Sequence, residues 1–138
     1  MMTTCTDYEE LDNYVESIAN RQGKLVVTGH SLGGGLAKII GARNKIHAVT
    51  FSGPGLEYTS RSVDVSGADL HHYTVSIVPD KDVVPRVDSQ MATVLPIECD
   101  QDVLTCHFID RTLCELMRTC DPGVWGLRST VCPDGYLS

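Results

Sequence analysis

At 138 residues, with a net charge of −7 and 42% hydrophobic residues, the chain has the composition of one small folded domain, able to bury roughly two-thirds of its unfolded surface. The acidic balance excludes nucleic acid, which requires a basic face, and electrostatic docking on anionic lipid. No run of about 18 apolar residues occurs, and Met1–Tyr8 has neither a basic start nor an apolar core, so neither a membrane span nor a signal peptide is expected in this sequence.

The first predicted element is a helix over Tyr8–Gln22. Leu11, Tyr14, Val15 and Ile18 recur at helical spacing, and Asp7, Glu9, Glu10 and Asp12 crowd the end where a helix dipole favours acids. Gly23 follows where a left-handed stop residue belongs.

Next comes an apolar run, Leu25-Val26-Val27, then Gly29-His30-Ser31-Leu32-Gly33, then a helical pattern with Leu36, Ile39 and Ile40. This reads as a strand over 24–29 and a helix over 32–43, joined by G-x-S-x-G, the context of a nucleophile elbow. The chain must reverse sharply there with Ser31 at the strained tip. Gly29 and Gly33, two residues either side, are expected to pass so close to neighbouring backbone that neither tolerates a Cβ. The helix N-terminus beneath Ser31 offers unpaired N–H groups and a partial positive charge, and the Leu32 N–H is the expected donor to an oxyanion. Other glycine-loop chemistries fit poorly. No Gly-Lys-Ser/Thr follows, Lys38 lying too far into the helix for a phosphate loop, and a dinucleotide fingerprint read from Gly29 would need glycine at position 31.

Asn44 marks a helix stop, and a strand over 46–52 completes a parallel βαβ unit. Residues 53–67 read as loop or short helix. A buried strand over 70–78, through Tyr73, Val75, Ile77 and Val78, is ended by Pro79. Asp80 and Asp82 lie just past its C-terminal end, where α/β sheets place functional groups. Two residues apart, they are expected to point the same way, and either could orient a base. An elbow serine is followed in chain order by an acid and then a histidine, and of the five histidines only His107 follows both acids. His107 falls in the first turn of a helix predicted over 103–119, with Leu104, Phe108, Leu113, Leu116 and Met117 as its apolar set. His30, beside the serine, is expected to line the pocket for a substrate acyl chain. His71 and His72 open the third strand, so at most one faces inward. No His-x-His, H-E-x-x-H or paired Cys-x-x-Cys spacing predicts a metal site. The elements together give an α/β class: a parallel sheet of about three strands with flanking helices, and a turn-rich tail after Asp121-Pro122-Gly123.

The segment 28–37, TGHSLGGGLA, resembles the elbow of the class 3 (fungal lipase-like) family of α/β-hydrolases. Asp82-Val-Val-Pro-Arg86 is similar to that family's segment around its orienting aspartate, and Phe51-Ser-Gly-Pro-Gly55 to the loop after the strand that follows the elbow helix. The resemblance runs from about Leu11 to about Leu116. It implies Ser31 as nucleophile, Asp82 rather than Asp80 as acid, His107 as base, and hydrolysis of triacylglycerol or related lipid esters without a cofactor. It also implies a fuller fold, because in that family strands precede the elbow strand and carry a second oxyanion donor and a lid. The expectation is therefore a single domain over 1–138 that forms the C-terminal part of a longer lipase-like protein. A non-catalytic, hydrolase-like module is the alternative.

Five of the six cysteines, Cys99, Cys106, Cys114, Cys120 and Cys132, fall in the last 40 residues around His107. A disulfide framework fixing the base is expected, with Cys99–Cys106 and Cys114–Cys120 as the short-loop pairings, although five cysteines allow others. Such a framework points to a secreted or lysosome-like setting.

Overall fold

The computed structural model describes residues 7–120 together with Cys132. Four strands, β1 (Val26–His30), β2 (His47–Phe51), β3 (Thr74–Pro79) and β4 (Thr93–Ile97), form one sheet in the order β1-β2-β3-β4. Every neighbouring pair is parallel. The helices are α1 (Asp7–Gln22), α2 (Leu32–Asn44), α3 (Gly67–Tyr73) and α4 (Ile109–Cys120). Among the described residues the sheet thus has four strands, in keeping with the parallel sheet of about three strands with flanking helices that was expected. Among the described residues no helix is long and apolar enough to cross a membrane.

Helix α2 organises the packing. On one side Ile39 and Ala42 meet Leu56, Val65 and Leu70; on the other Ile40 meets Val15 of α1 and Ile46. Buried on both sides, the helix is apolar nearly all round, as its sequence is. It also lies directly on β2, where a Cβ at Gly41 would sit 2.8 Å from the Ile46 carbonyl oxygen and 2.9 Å from the Ala48 Cβ. Asp12 of α1 clamps the other end of α2, accepting from Arg43 Nε at 2.9 Å and from Asn44 Nδ2 at 2.5 Å. Of the apolar face predicted for α1, Val15 is buried, whereas Leu11 and Tyr14 are exposed.

Three elements depart from the sequence reading, each for a local reason. Residues 70–73, predicted as strand, belong to α3. The helix starts at Ser66, whose Oγ accepts the Asp69 N–H at 3.0 Å, and the Ser-x-x-Asp spacing carried that signal. His71 and His72 therefore sit on the exposed face of a helix rather than alternating on a strand. Strand β4 was not among the predicted elements; it forms at the end of the sheet, where the N–H that Pro96 lacks is tolerated. The helix predicted over 103–119 is broken. A 3-10 turn, Thr105–His107, is nucleated by Asp102, whose carboxylate accepts the Leu104 and Thr105 N–H groups at 3.0 and 3.1 Å. Phe108 is extended, and α4 begins only at Ile109. Its buried residues are Arg111, Thr112, Cys114 and Glu115, while Leu104, Phe108 and Leu113 face outward. Cys99 pairs with Cys106 as expected, but Cys114 pairs with Cys132 and not with Cys120.

Candidate active site

Ser31 stands between the end of β1 and the start of α2 with φ 56° and ψ −125°, a positive φ that a side chain rarely adopts. Two sets of hydrogen bonds hold it there. Its N–H donates to the Phe51 carbonyl at the end of β2 (3.0 Å), and its carbonyl accepts from the Gly34 and Gly35 N–H groups (2.9 and 3.2 Å). The reversal brings β1 onto the first turn of α2, so that a Cβ on Gly29 would lie 2.1 Å from the Gly33 carbonyl oxygen. Gly33 itself differs from expectation. Nothing lies within 4 Å of a Cβ built there, and the second crowded glycine is Gly34, 3.0 Å from the Gly53 Cα. Leu32 is the first residue of α2 and is exposed, so its N–H belongs to the turn of donors that have no acceptor within the helix.

Asp82 lies past the end of β3 and is fully buried. Its N–H donates to the Pro79 carbonyl at 3.1 Å, and its Oδ1 accepts the Val84 N–H at 3.0 Å. Both carboxylate oxygens are 3.0 Å from His107 Nδ1. Asp80 is exposed, and its backbone carbonyl accepts from Arg86 Nη2. The two aspartates do not point the same way, because the turn after Pro79 is not strand-like.

His107 reaches the site from the 3-10 turn beyond β4. Its other ring nitrogen, Nε2, is 2.9 Å from Ser31 Oγ. Three groups 76 and 25 residues apart in sequence thus form one hydrogen-bonded line, Ser31–His107–Asp82, at the C-terminal ends of parallel strands. With Asp82 buried against Nδ1, that nitrogen carries the proton and Nε2 is left to accept from the serine hydroxyl. The arrangement can take a proton from Ser31 and stabilise the imidazolium that results. Nearby, the Cys99–Cys106 disulfide anchors the residue preceding His107.

His30, expected to line the acyl pocket, is engaged with the base. Its Nε2 is 2.7 Å from the His107 carbonyl oxygen, and the two rings lie 4.9 Å apart at a 38° tilt.

A second polar cluster lies behind the site. Lys38 of α2 is 1% exposed, and its Nζ donates to the Gly53 and Pro54 carbonyls (3.3 and 2.8 Å) and to Gln90 Oε1 (2.6 Å). Gln90 Nε2 donates in turn to the Gly53 and Pro85 carbonyls, both at 2.9 Å. The pair ties the helix after Ser31 to the loop after β2 and to the turn after Asp82. Burial pushes the Lys38 pKa down to about 8. Sequence reading missed the role of Lys38, since a lysine in a helix ordinarily marks the solvent face; the signal was that apolar residues surround it on every side.

The sequence profile of the lipase (class 3) family matches residues 3–91, more than half of the chain. The matched segment includes Ser31 and Asp82 and ends before His107. No curated protein sequence matches the chain.

Proposed function

We infer that this chain, which belongs to the lipase (class 3) family, is a serine hydrolase of lipid carboxylic esters that works through Ser31, His107 and Asp82. The observation that carries this reading is the hydrogen-bonded line from Ser31 Oγ through His107 to buried Asp82, at 2.9 and 3.0 Å. Ser31 Oγ attacks the ester carbonyl carbon while His107 Nε2 takes its proton. The Leu32 N–H, with the positive end of α2 behind it, receives the charge that develops on the carbonyl oxygen. Collapse breaks the bond to the alcohol, which leaves with the proton from His107, and the acyl group stays on Ser31. A water then gives its proton to His107 and attacks the acyl carbon; the bond to Ser31 Oγ breaks, His107 returns that proton to Oγ, and the acid is released. Throughout, Asp82 holds the Nδ1–H tautomer and balances the imidazolium without being protonated itself.

The two disulfides suit an oxidising compartment, in keeping with a secreted or lysosome-like protein. A fluorophosphonate probe tests the chemistry. It should label the chain, fail on Ser31→Ala, and label Asp82→Asn or His107→Ala slower by about three to four orders of magnitude. Absence of labelling in a cooperatively folded sample would replace this reading with the non-catalytic module. Hydrolysis of p-nitrophenyl esters of increasing chain length would then define the acyl group preferred.

A further inference from the structure

His30 is a conspicuous group that the mechanism above does not use. It ends β1, paired with Phe51 across the sheet, and immediately precedes Ser31. Its Nε2 lies 2.7 Å from the His107 carbonyl oxygen. A carbonyl can only accept, so Nε2 carries the proton and His30 is fixed as an Nε2–H donor. The bond crosses 77 residues and joins the strand that carries the serine to the backbone of the base. The Cys99–Cys106 disulfide ties the preceding residue to the segment after β4, and the His30 bond ties His107 itself to β1. Val103, Leu104, Phe108 and Ile109 around it are all exposed, and the 3-10 turn is held by its own internal bonds and by Cys106. Asp82 holds the ring of His107 through Nδ1, and the His30 bond holds the backbone carbonyl of the same residue.

We propose that His30 is a positioning residue: its Nε2–H holds the main chain of His107 at the end of β1 and so sets the distance between Ser31 Oγ and His107 Nε2. The proposal rests on the Ser31–His107–Asp82 reading for its kinetic consequence, and on the geometry alone for its structural one. His30 would then act on the rate of acyl transfer and not on substrate binding, in contrast to the pocket-lining role its place in the sequence suggests.

The test uses the full chain with His30→Phe, which keeps a flat ring and removes the donor, and His30→Gln, which returns an N–H at similar reach. On p-nitrophenyl butyrate, His30→Phe should lower kcat by about 10- to 100-fold with KM within about twofold, since displacement of a reacting group by an ångström costs about that much. His30→Gln should recover most of the loss. A rise in KM at constant kcat, or a Gln variant as slow as the Phe variant, would overturn the proposal. Nitrogen-15 histidine NMR separates this from failure of the esterase reading. In the wild-type chain, active or not, His30 should appear as the Nε2–H tautomer with a slowly exchanging proton, and the His107 ring signals should move in His30→Phe and return in His30→Gln. A Nδ1–H tautomer at His30, or His107 signals indifferent to both substitutions, would refute it even in a chain without activity, and the wild-type spectrum alone decides if a variant does not fold.

Discussion

Exchanging single glycines for alanine on either side of Ser31 separates the geometry of the turn from the pattern of its letters. A methyl group on Gly29 would stand 2.1 Å from the Gly33 carbonyl oxygen, 2.4 Å from its carbonyl carbon and 2.8 Å from the Gly34 nitrogen. All three are backbone atoms, so no side chain can swing away. Ordinary contact would require β1 and the first turn of α2 to part by about 1.3 Å or more. Opening a packed interface by that much costs about 3 kcal/mol or more, a large share of the stability of a small domain. Gly33 has the same place on the other side of the serine, yet open space surrounds its missing Cβ and its φ is not positive. Gly33→Ala should leave stability unchanged or raise it by a few tenths of a kcal/mol, because alanine is the better helix former. Urea denaturation followed by circular dichroism measures both variants, and the rate of fluorophosphonate labelling reports on Ser31. Gly29→Ala should shift the midpoint sharply down and slow labelling by about 100-fold or more. Equal damage at the two positions, or a Gly29→Ala chain that melts with the wild type, would refute the reasoning.

Two further outcomes follow from groups behind the site. Lys38 keeps its proton up to about pH 8 in the folded chain and to the ordinary 10.5 when unfolded, so between those values the unfolded state binds more protons and folding stability rises with pH. Measured against Lys38→Met, which has no such proton, the wild type should gain about 3 kcal/mol across that window, and a flat difference would show that the ammonium is not buried as described. The disulfides should separate stability from chemistry. The sequence separation of 7 for Cys99–Cys106 corresponds to about 2 kcal/mol and that of 18 for Cys114–Cys132 to about 3 kcal/mol. Cys99→Ser/Cys106→Ser should nevertheless slow probe labelling more, because Cys106 adjoins His107; equal slowing in the Cys114→Ser/Cys132→Ser chain would contradict this.

Local patterns were legible where the physics is local. The strand–turn–helix around Ser31 announces itself in ten residues, and the order serine, acid, histidine leaves His107 as the one eligible base; the structure brings these groups within hydrogen-bond distance. Asp80 and Asp82 could not be told apart by spacing, because only the path of the turn after Pro79 buries one and exposes the other. Strand β4, with Pro96 inside it, was not among the predicted elements, and α3 hid because Leu70 and Tyr73 fit a strand as well as a helix, although Ser66 and Asp69 marked a cap. The partner of His30 was beyond sequence reading altogether, being a backbone carbonyl on a distant segment, and no side-chain type signals that. The pairing of Cys114 likewise is with the distant Cys132 and not with the nearer Cys120 that loop length favoured.

The sheet order has a consequence in time. Because the strands lie in the order in which they are synthesised, a growing chain can lay down β1, β2 and β3, and place Ser31 and Asp82, before the segment that carries the base has been made. The serine then has no proton acceptor until the contact with His107 closes, and that contact is made by a segment stitched by Cys99 and Cys106. On the proposed mechanism, reactivity therefore matures last, and a chain whose Cys99 and Cys106 are still reduced carries a serine whose base is less firmly held.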